Sequence, residues 1–570
     1  MIFCLMPLAA LAQTYTVTGT VTDKNREALI GVSVAAKGTT MGTNTDIDGK
    51  FTLNVPDNSI LVFSYIGYNT QEIRVTSATP LNVVMEETAA LLDEVVVVGY
   101  GVQKKVNLTG SVAAVNSEKL ESRSAPNLST MLTGLASGVT VRQGSGNPGS
   151  DGANIRIRGI GTFDGNYRSP LIIIDGAEGD MNSLNPEDVE SVSVLKDAAS
   201  AAIYGSRGAN GVILVTTKKG RKNAAPRVTY TGIFSRTTAS RVLDLMYDYA
   251  DYMEMYNMAE FSVNPKVNSN YDAEEIAAWR AAKSDPNGIY TDPDNGNQVP
   301  NYLAYPNTNW SDILFAPTHS QQHTLSISGG GENSNYLMSM NYYEAPGTLE
   351  NTGIDRFNVR VNLESQITNF LKIGTQTYAM RQRKDPGNLD QVNTYRLQTV
   401  GGIVPIHDGK YGGPESPREK NDVRNPIRDV NAVGGKNTTT RINTTWYAQA
   451  EFYKGLIGRA SINYQNLFYD SKTYSRQLDS YSFRKGTILI PGTTLNNATT
   501  TRAYEKREQY TANLTLNYNT TIASDHDISA MLGYEQFYFN RSGVSARRKG
   551  LLSFDIPDIT TGADLDRSEE

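Results

Sequence analysis

From about residue 225 onward, polar and apolar side chains alternate along the chain with a period of two. Over residues 356–364, Phe357, Val359, Val361 and Leu363 stand opposite Arg356, Asn358, Arg360, Asn362 and Glu364. Residues 441–451 set Ile442, Thr444, Trp446, Ala448 and Ala450 against Arg441, Asn443, Thr445, Tyr447, Gln449 and Glu451. Residues 509–518 repeat the pattern, as do residues 335–343 with Leu337 as the exception. Such a period belongs to strands with one greasy face and one polar face. Nine strands are expected, near 227–235, 321–329, 333–343, 355–366, 369–382, 440–453, 456–469, 506–519 and 526–540. The eight steps from Tyr510 to Tyr518 span roughly 26 Å, or about 20 Å along the normal at a 40° tilt, near the apolar height of an outer-membrane barrel.

The connections carry a second pattern. Those after the second, fourth, sixth and eighth segments are short, those after the first, fifth and seventh are long, and that after the third is intermediate. Short periplasmic turns alternating with long external loops are what a barrel entered from the periplasm shows. The first long loop is expected to hold helices over 245–261 and 272–282. Its Pro/Asn/Tyr-rich run over 301–310 reads either as a ligand-binding or lid-docking surface or as an ordinary packed loop, the second being the better reading.

Ahead of the alternating region lie three shorter ones. Residues 1–12 are apolar and end in the small-x-small pattern of Ala10, Leu11 and Ala12, which predicts a signal peptide, partial because no basic start precedes it. Residues 13–88 read as about seven short strands, with Asp48-Gly49 as a hairpin turn. Asp46, Asp48 and Gly49 also graze a calcium-loop pattern that lacks its closing glutamate. Residues 93–101 begin with two acids, Asp93 and Glu94, and run through Val95, Val96, Val97 and Val98 to Gly99 and Tyr100. That run fits an exposed strand waiting for a sheet edge, or a buried strand of the next region.

Residues 102–220 are mixed. A helix is expected over 126–135 with Asn127 as its cap, and strands over 139–142, 154–158, 170–174 and 211–217, with a helix-to-strand passage over 186–196. Gly144, Gly146 and Gly149 match GxGxxG, but an alternating strand follows where a dinucleotide site needs a helix.

Composition narrows the class. With 39% hydrophobic and 20% charged residues the chain is not disordered, and no apolar run reaches membrane-helix length. The net charge of −6 argues against nucleic acid as a partner. Cys4 is the only cysteine and the four histidines show no metal spacing, so no catalytic residue, metal or cofactor is expected. No GxSxG is present either, and the protein is not read as an enzyme.

Residues 13–88 resemble the carboxypeptidase-regulatory-like domain, a small Greek-key sandwich. Residues 93–101 resemble a TonB box, and residues 102–220 the plug of TonB-dependent transporters. The runs Val97-Val98-Gly99-Tyr100-Gly101 and Ile155-Arg156-Ile157-Arg158-Gly159, together with Leu195-Lys196-Asp197-Ala198 and residues 202–211 around Arg207, resemble the SusC/RagA branch. The resemblance implies a mainly β protein: sandwich, α+β plug, then over 225–570 the first strands of an antiparallel transmembrane barrel. It also implies a barrel of about 22 strands, so an odd nine is expected to be the N-terminal part of a longer reading frame. By the same resemblance the protein sits in the bacterial outer membrane. It would import oligosaccharides or oligopeptides with a TonB-type energy transducer and a SusD-like lipoprotein lid. Within the plug, Arg156, Arg158 and Arg207 are candidates for contacts to the lumen, with Glu187, Asp188, Glu190 and Asp197 nearby; they serve equally well as partners inside the plug. The competing class is a secreted or surface β-rich protein that binds glycans or adheres without transport. In that case the polar strand faces would look outward.

Overall fold

The computed structural model describes residues 14–561, apart from 25, 40, 57, 66–67, 76–79, 87–94, 99–100, 105–110, 124, 163, 165–167, 241, 267–269, 388–399, 420–422, 523–525 and 555–557. It divides into two compact units, Met1–Thr109 and Gly110–Glu570.

In the first unit, strands β1 (Thr14–Thr22), β2 (Ser33–Ala36), β3 (Gly42–Asn44), β4 (Lys50–Pro56), β5 (Ile60–Ser64), β6 (Gln71–Arg74) and β7 (Leu81–Val84) form two sheets. Their orders are β4-β1-β7 and β3-β2-β5-β6. Alternation places Phe51, Leu53 and Val55 of β4 and Leu61 and Phe63 of β5 in one core, with the two Phe rings edge to face at 5.4 Å. Asp48-Gly49 is a turn but not a hairpin, because β3 and β4 lie in different sheets. Asp46 Oδ1 accepts from the amides of Asp48 (3.0 Å) and Lys50 (2.8 Å), and Gly49 takes φ +72°, so the chain turns a corner between the sheets. Strand β8 (Val95–Val98) pairs antiparallel with β9 (Gly101–Lys104), Val95 opposite Lys104 and Val98 opposite Gly101.

The second unit holds the plug. Strands β10 (Val112–Asn116), β13 (Leu171–Ile174), β14 (Ala177–Glu178), β15 (Val189–Leu195) and β16 (Val212–Thr217) form a sheet ordered β10-β15-β16-β13-β14; β11 (Val139–Gln143) and β12 (Ala153–Ile157) form a hairpin pair. Val192, Val194, Ile213 and Val215 fill its core with Leu128, Leu132 and Leu184 from the connections. The helix expected over 126–135 shrinks to Leu128–Met131, and Asn127 makes no side-chain cap bond. The hydroxyls of Thr130 and Thr133 donate to the carbonyls of Asn127 and Thr130, and Arg123 takes the carbonyls of Met131 and Thr133, acceptors a longer helix would need.

Nine further strands form one antiparallel meander in chain order: β17 (Ala224–Thr237), β20 (Thr318–Gly330), β21 (Ser334–Pro346), β22 (Thr352–Gln366), β23 (Leu371–Pro386), β24 (Val433–Tyr453), β25 (Leu456–Ser475), β28 (Thr499–Ile522) and β29 (His526–Lys549). Between them, β18 (Ile289–Thr291) with β19 (Gln298–Pro300), and β26 (Ser480–Ser482) with β27 (Thr487–Ile490), are hairpins inside the long loops. The sheet is open, with β17 and β29 as its edges. All nine expected strands are present, and the first long loop carries helices Tyr249–Val263 and Ala273–Ser284. The last four strands run 20 to 24 residues, several residues beyond the expectation at the long-loop end. There both faces are polar, so the alternation that reveals a strand disappears while cross-strand pairing continues.

The sheet is built inside out relative to a soluble protein. Ser339, Asn341, Arg356, Asn358, Arg360 and Asn362 are buried on the concave side, whereas Met338, Met340, Phe357, Leu363, Trp446 and Leu514 are exposed on the convex side. That is the arrangement of a wall whose outer surface meets hydrocarbon, and it removes the soluble array from consideration.

Candidate functional site

The polar inner face of the wall meets the plug, and a buried ion triplet lies at the centre of that contact. Arg360 projects inward from β22 because its neighbours Val359 and Val361 take the outer face. Its guanidinium lies 3.5 Å from Asp175 and 3.4 Å from Asp188, both plug residues, with all three side chains under 10% exposed. Asp175 stands in the turn after β13 at φ +51°, where its carboxylate accepts from the amide (2.9 Å) and the hydroxyl (2.7 Å) of Thr217. The Thr217 hydroxyl also accepts from Arg360 (3.2 Å) and Asn362 (3.1 Å), and the Asn362 amide reaches the Lys218 carbonyl at 2.7 Å. Arg360 lies 5.4 Å from the centre of the Tyr378 ring, whose hydroxyl meets Ser183 at 3.1 Å. Burial pushes the Asp188 carboxyl above its ordinary range, opposed by Arg360 and by a hydrogen bond from Ser339. Burial likewise raises Glu187, against hydrogen bonds from Thr231 and Thr324 of the wall.

Around this centre are further single contacts. Arg356 donates to the plug carbonyls of Asn182 (2.8 Å) and Pro126 (3.1 Å). Arg441 pairs with Asp180 at 3.5 Å, and Gln465 donates to the Glu178 carbonyl. Asn185 sits between Thr324 (3.5 Å) and Gln322 (3.4 Å). The plug is thus held by many polar contacts, with Tyr378 as the wall residue that joins its apolar core.

Among the sequence candidates, Arg207 reaches the wall: it bridges Glu178 of the plug (3.2 Å) and Glu535 of β29 (2.5 Å) and lies over the Phe537 ring. Arg156 lies on β12 with Thr140 of β11 opposite it in the hairpin. Arg158, at φ +56°, donates its amide to the Gly138 carbonyl and stands electrostatically near Asp197; Gly159 follows at φ +101°. Asp197 is internal to the plug as well. The Ser200 hydroxyl and the amides of Ser111 and Ser200 hold its carboxyl down at about 2. Glu190 faces solvent. Of the box, Asp93, Glu94, Gly99 and Tyr100 lie outside the described residues, and Val95, Val96, Val97 and Val98 form β8, paired within the chain rather than standing as a lone strand. Asp175, Arg356 and Arg360 were missed. The arginines were legible as charges on a strand's polar face, but their plug partners lie about 170 to 230 residues away in sequence.

The long loops form a packed body at the opposite end from the short turns. Trp279 and Trp310 are buried and donate to the carbonyls of Pro306 (3.1 Å) and Val400 (2.8 Å), so the aromatic run over 301–310 is mainly loop core, with Tyr302 exposed. The Arg484 guanidinium lies over Trp279 (4.3 Å) and Tyr305 (4.1 Å). Beneath it Glu415 accepts from the Ser482 hydroxyl (2.7 Å) and the Phe483 amide (2.6 Å), and burial raises its carboxyl to about 7. Among the described residues no group of side chains is placed to hold a metal.

Comparison with known proteins agrees with this architecture. Residues 17–97 match the CarboxypepD_reg-like domain and residues 104–212 the TonB-dependent Receptor Plug Domain. The chain is 38% identical over 368 residues to TonB-dependent receptor SusC of Bacteroides thetaiotaomicron, covering 63% of this chain and 33% of that protein. It is 30% identical over 559 residues to TonB-dependent receptor P3 of Formosa agariphila, covering 96% of this chain and 50% of that protein. Among solved structures, the RagAB peptide importer in its open-open state superposes with a TM-score of 0.64 at 22% identity, over 82% of this chain and 52% of that one. The chain spans half or less of the length of these relatives. With a matching plug, an inside-out wall around it and these relatives, the chain belongs to the SusC/RagA family of outer-membrane TonB-dependent receptors.

Proposed function

We propose that the protein imports oligosaccharides or oligopeptides across the outer membrane in a TonB-dependent step, with a SusD-like lipoprotein as external lid. The observation that carries this reading is the plug held against the polar wall by the Asp175–Arg360–Asp188 triplet and a ring of single hydrogen bonds. Such a seat is firm at equilibrium, since stripping one partner from a buried ion pair costs about 3–5 kcal/mol. Under a directed pull its contacts break one after another, each neutral hydrogen bond contributing only about 0.5–1.5 kcal/mol. Asp93 to Tyr100 is the handle in this scheme: a transducer strand adds to the edge of β8, and main-chain hydrogen bonds carry the force.

One relative is named SusC, a TonB-dependent receptor, and a fold neighbour is titled a peptide importer, so both cargo classes are retained. These relatives are receptors and transporters rather than enzymes, and the proposed role is transport without turnover. Deletion of residues 93–100 from the whole gene is expected to leave ligand binding to cells intact and to abolish uptake. Unimpaired uptake of labelled oligosaccharide or oligopeptide would sink the mechanism.

A further inference from the structure

The convex face of the wall is not evenly greasy. Near the short-turn end the outward residues of adjacent strands are small: Ala448 and Ala450 on β24, and Gly458 and Ala460 on β25. Bulky neighbours stand around them, Phe452 on one side and Leu514, Leu516 and Tyr534 on the other, and the result is a concave apolar groove of about 590 Å³. The Phe452 ring lies against Gly458, where a Cβ would come within 2.5 Å of the ring edge, so the glycine keeps the floor low. Exposed Phe370, Tyr453 and Tyr518 mark the interfacial belt at this end. Just beyond it, two residues from Phe452, Lys454 stands exposed in the turn between β24 and β25.

We propose that this groove is a binding site for one anionic glycerophospholipid of the leaflet on the short-turn side, with an acyl chain in the groove and its phosphate at Lys454. The reason is physical. A concavity in a hydrocarbon-facing wall forfeits dispersion contacts unless something of its own shape fills it, and an acyl chain is the flexible apolar rod that the membrane supplies. Chains passing over the smooth wall gain no such enclosure. A chain lying in the groove brings its headgroup to the level of the aromatic belt, within reach of a lysine just outside it, and the charge-assisted contact selects an anionic lipid. The inference concerns the outer wall and stands apart from the import reading.

The test uses the whole protein, purified in mild detergent, incubated with dipalmitoyl phosphatidylglycerol or dipalmitoyl phosphatidylcholine and examined by native mass spectrometry. The wild type is expected to retain one phosphatidylglycerol in preference to phosphatidylcholine. Ala460→Trp, which fills the groove from the lipid side and removes no contact, is expected to weaken retention about tenfold; heat-modifiable gel migration checks that the barrel is intact. Lys454→Glu is expected to erase the preference between the two lipids. A wild type that retains no lipid, or an Ala460→Trp variant that retains it as well as wild type, overturns the site. An unchanged preference in Lys454→Glu overturns the place given to the phosphate.

Discussion

Arg360 is the side chain on which the seating of the plug turns. Replacing it with Met strips Asp175 and Asp188 of the buried guanidinium that lies between them, so plug–wall association is expected to weaken by about 3–5 kcal/mol. The readout is ion conductance in planar bilayers: the wild type should be closed, and Arg360→Met should show spontaneous openings. A closed Arg360→Met channel would mean that the peripheral contacts of Arg356, Arg441 and Asn362 suffice alone. Glu415, in the external loops, gives a pH dependence whose sign follows from its raised pKa. The folded loop binds its proton more tightly than the unfolded chain does. The stabilisation is therefore fully present below the ordinary value of 4.5 and is lost as pH rises through about 7. Protection of the Phe483 and Arg484 amides against hydrogen exchange, taken relative to their intrinsic rates, should fall across that window, and Glu415→Gln should flatten the response.

At the scale of elements, alternation decided where strands lie and tertiary packing decided which face is wet. Leu514 points outward from β28, so Leu514→Arg places a charge in hydrocarbon and is expected to cost about 2–4 kcal/mol if near the midplane, measured by urea unfolding in vesicles. In the first unit, Gly19 of β1 lies where a Cβ would stand 2.3 Å from the Leu81 carbonyl of β7. Gly19→Val should force β1 and β7 apart and lower the melting temperature of that domain, read by calorimetry. Nine wall strands were legible because each has one polar and one apolar face. The shortened Leu128–Met131 helix and the long-loop extensions of β24, β25, β28 and β29 were not. Side chains intercepting carbonyls end the helix, and pairing between polar strands prolongs the sheet, and neither leaves a periodic trace. The Asp48-Gly49 turn was legible as a turn, but only the sheet orders show it to be a corner between two sheets.

For the molecule as a whole, transport by the proposed scheme requires the plug to leave its seat. Asn185→Cys with Thr324→Cys replaces a hydrogen-bonded pair across the plug–wall seam in a chain whose sole native cysteine is Cys4. Oxidation of this pair in the whole protein should stop uptake while ligand binding persists, and reduction should restore it; uptake by the oxidised form would place the path elsewhere. By itself the sequence determined the mainly β class, the positions of the nine wall strands, the alternation of short turns with long loops, and the family resemblance of the plug. All of these rest on local periodicity or on consecutive motifs, which a linear chain carries in full. Only the tertiary structure decided that the polar strand faces are the buried ones, that Arg207 reaches the wall and that Arg158 stands near Asp197 within the plug. It alone set Arg360 between Asp175 and Asp188. Pairing between charges far apart in sequence depends on how the plug sits against the wall, and no local pattern of residues encodes that placement.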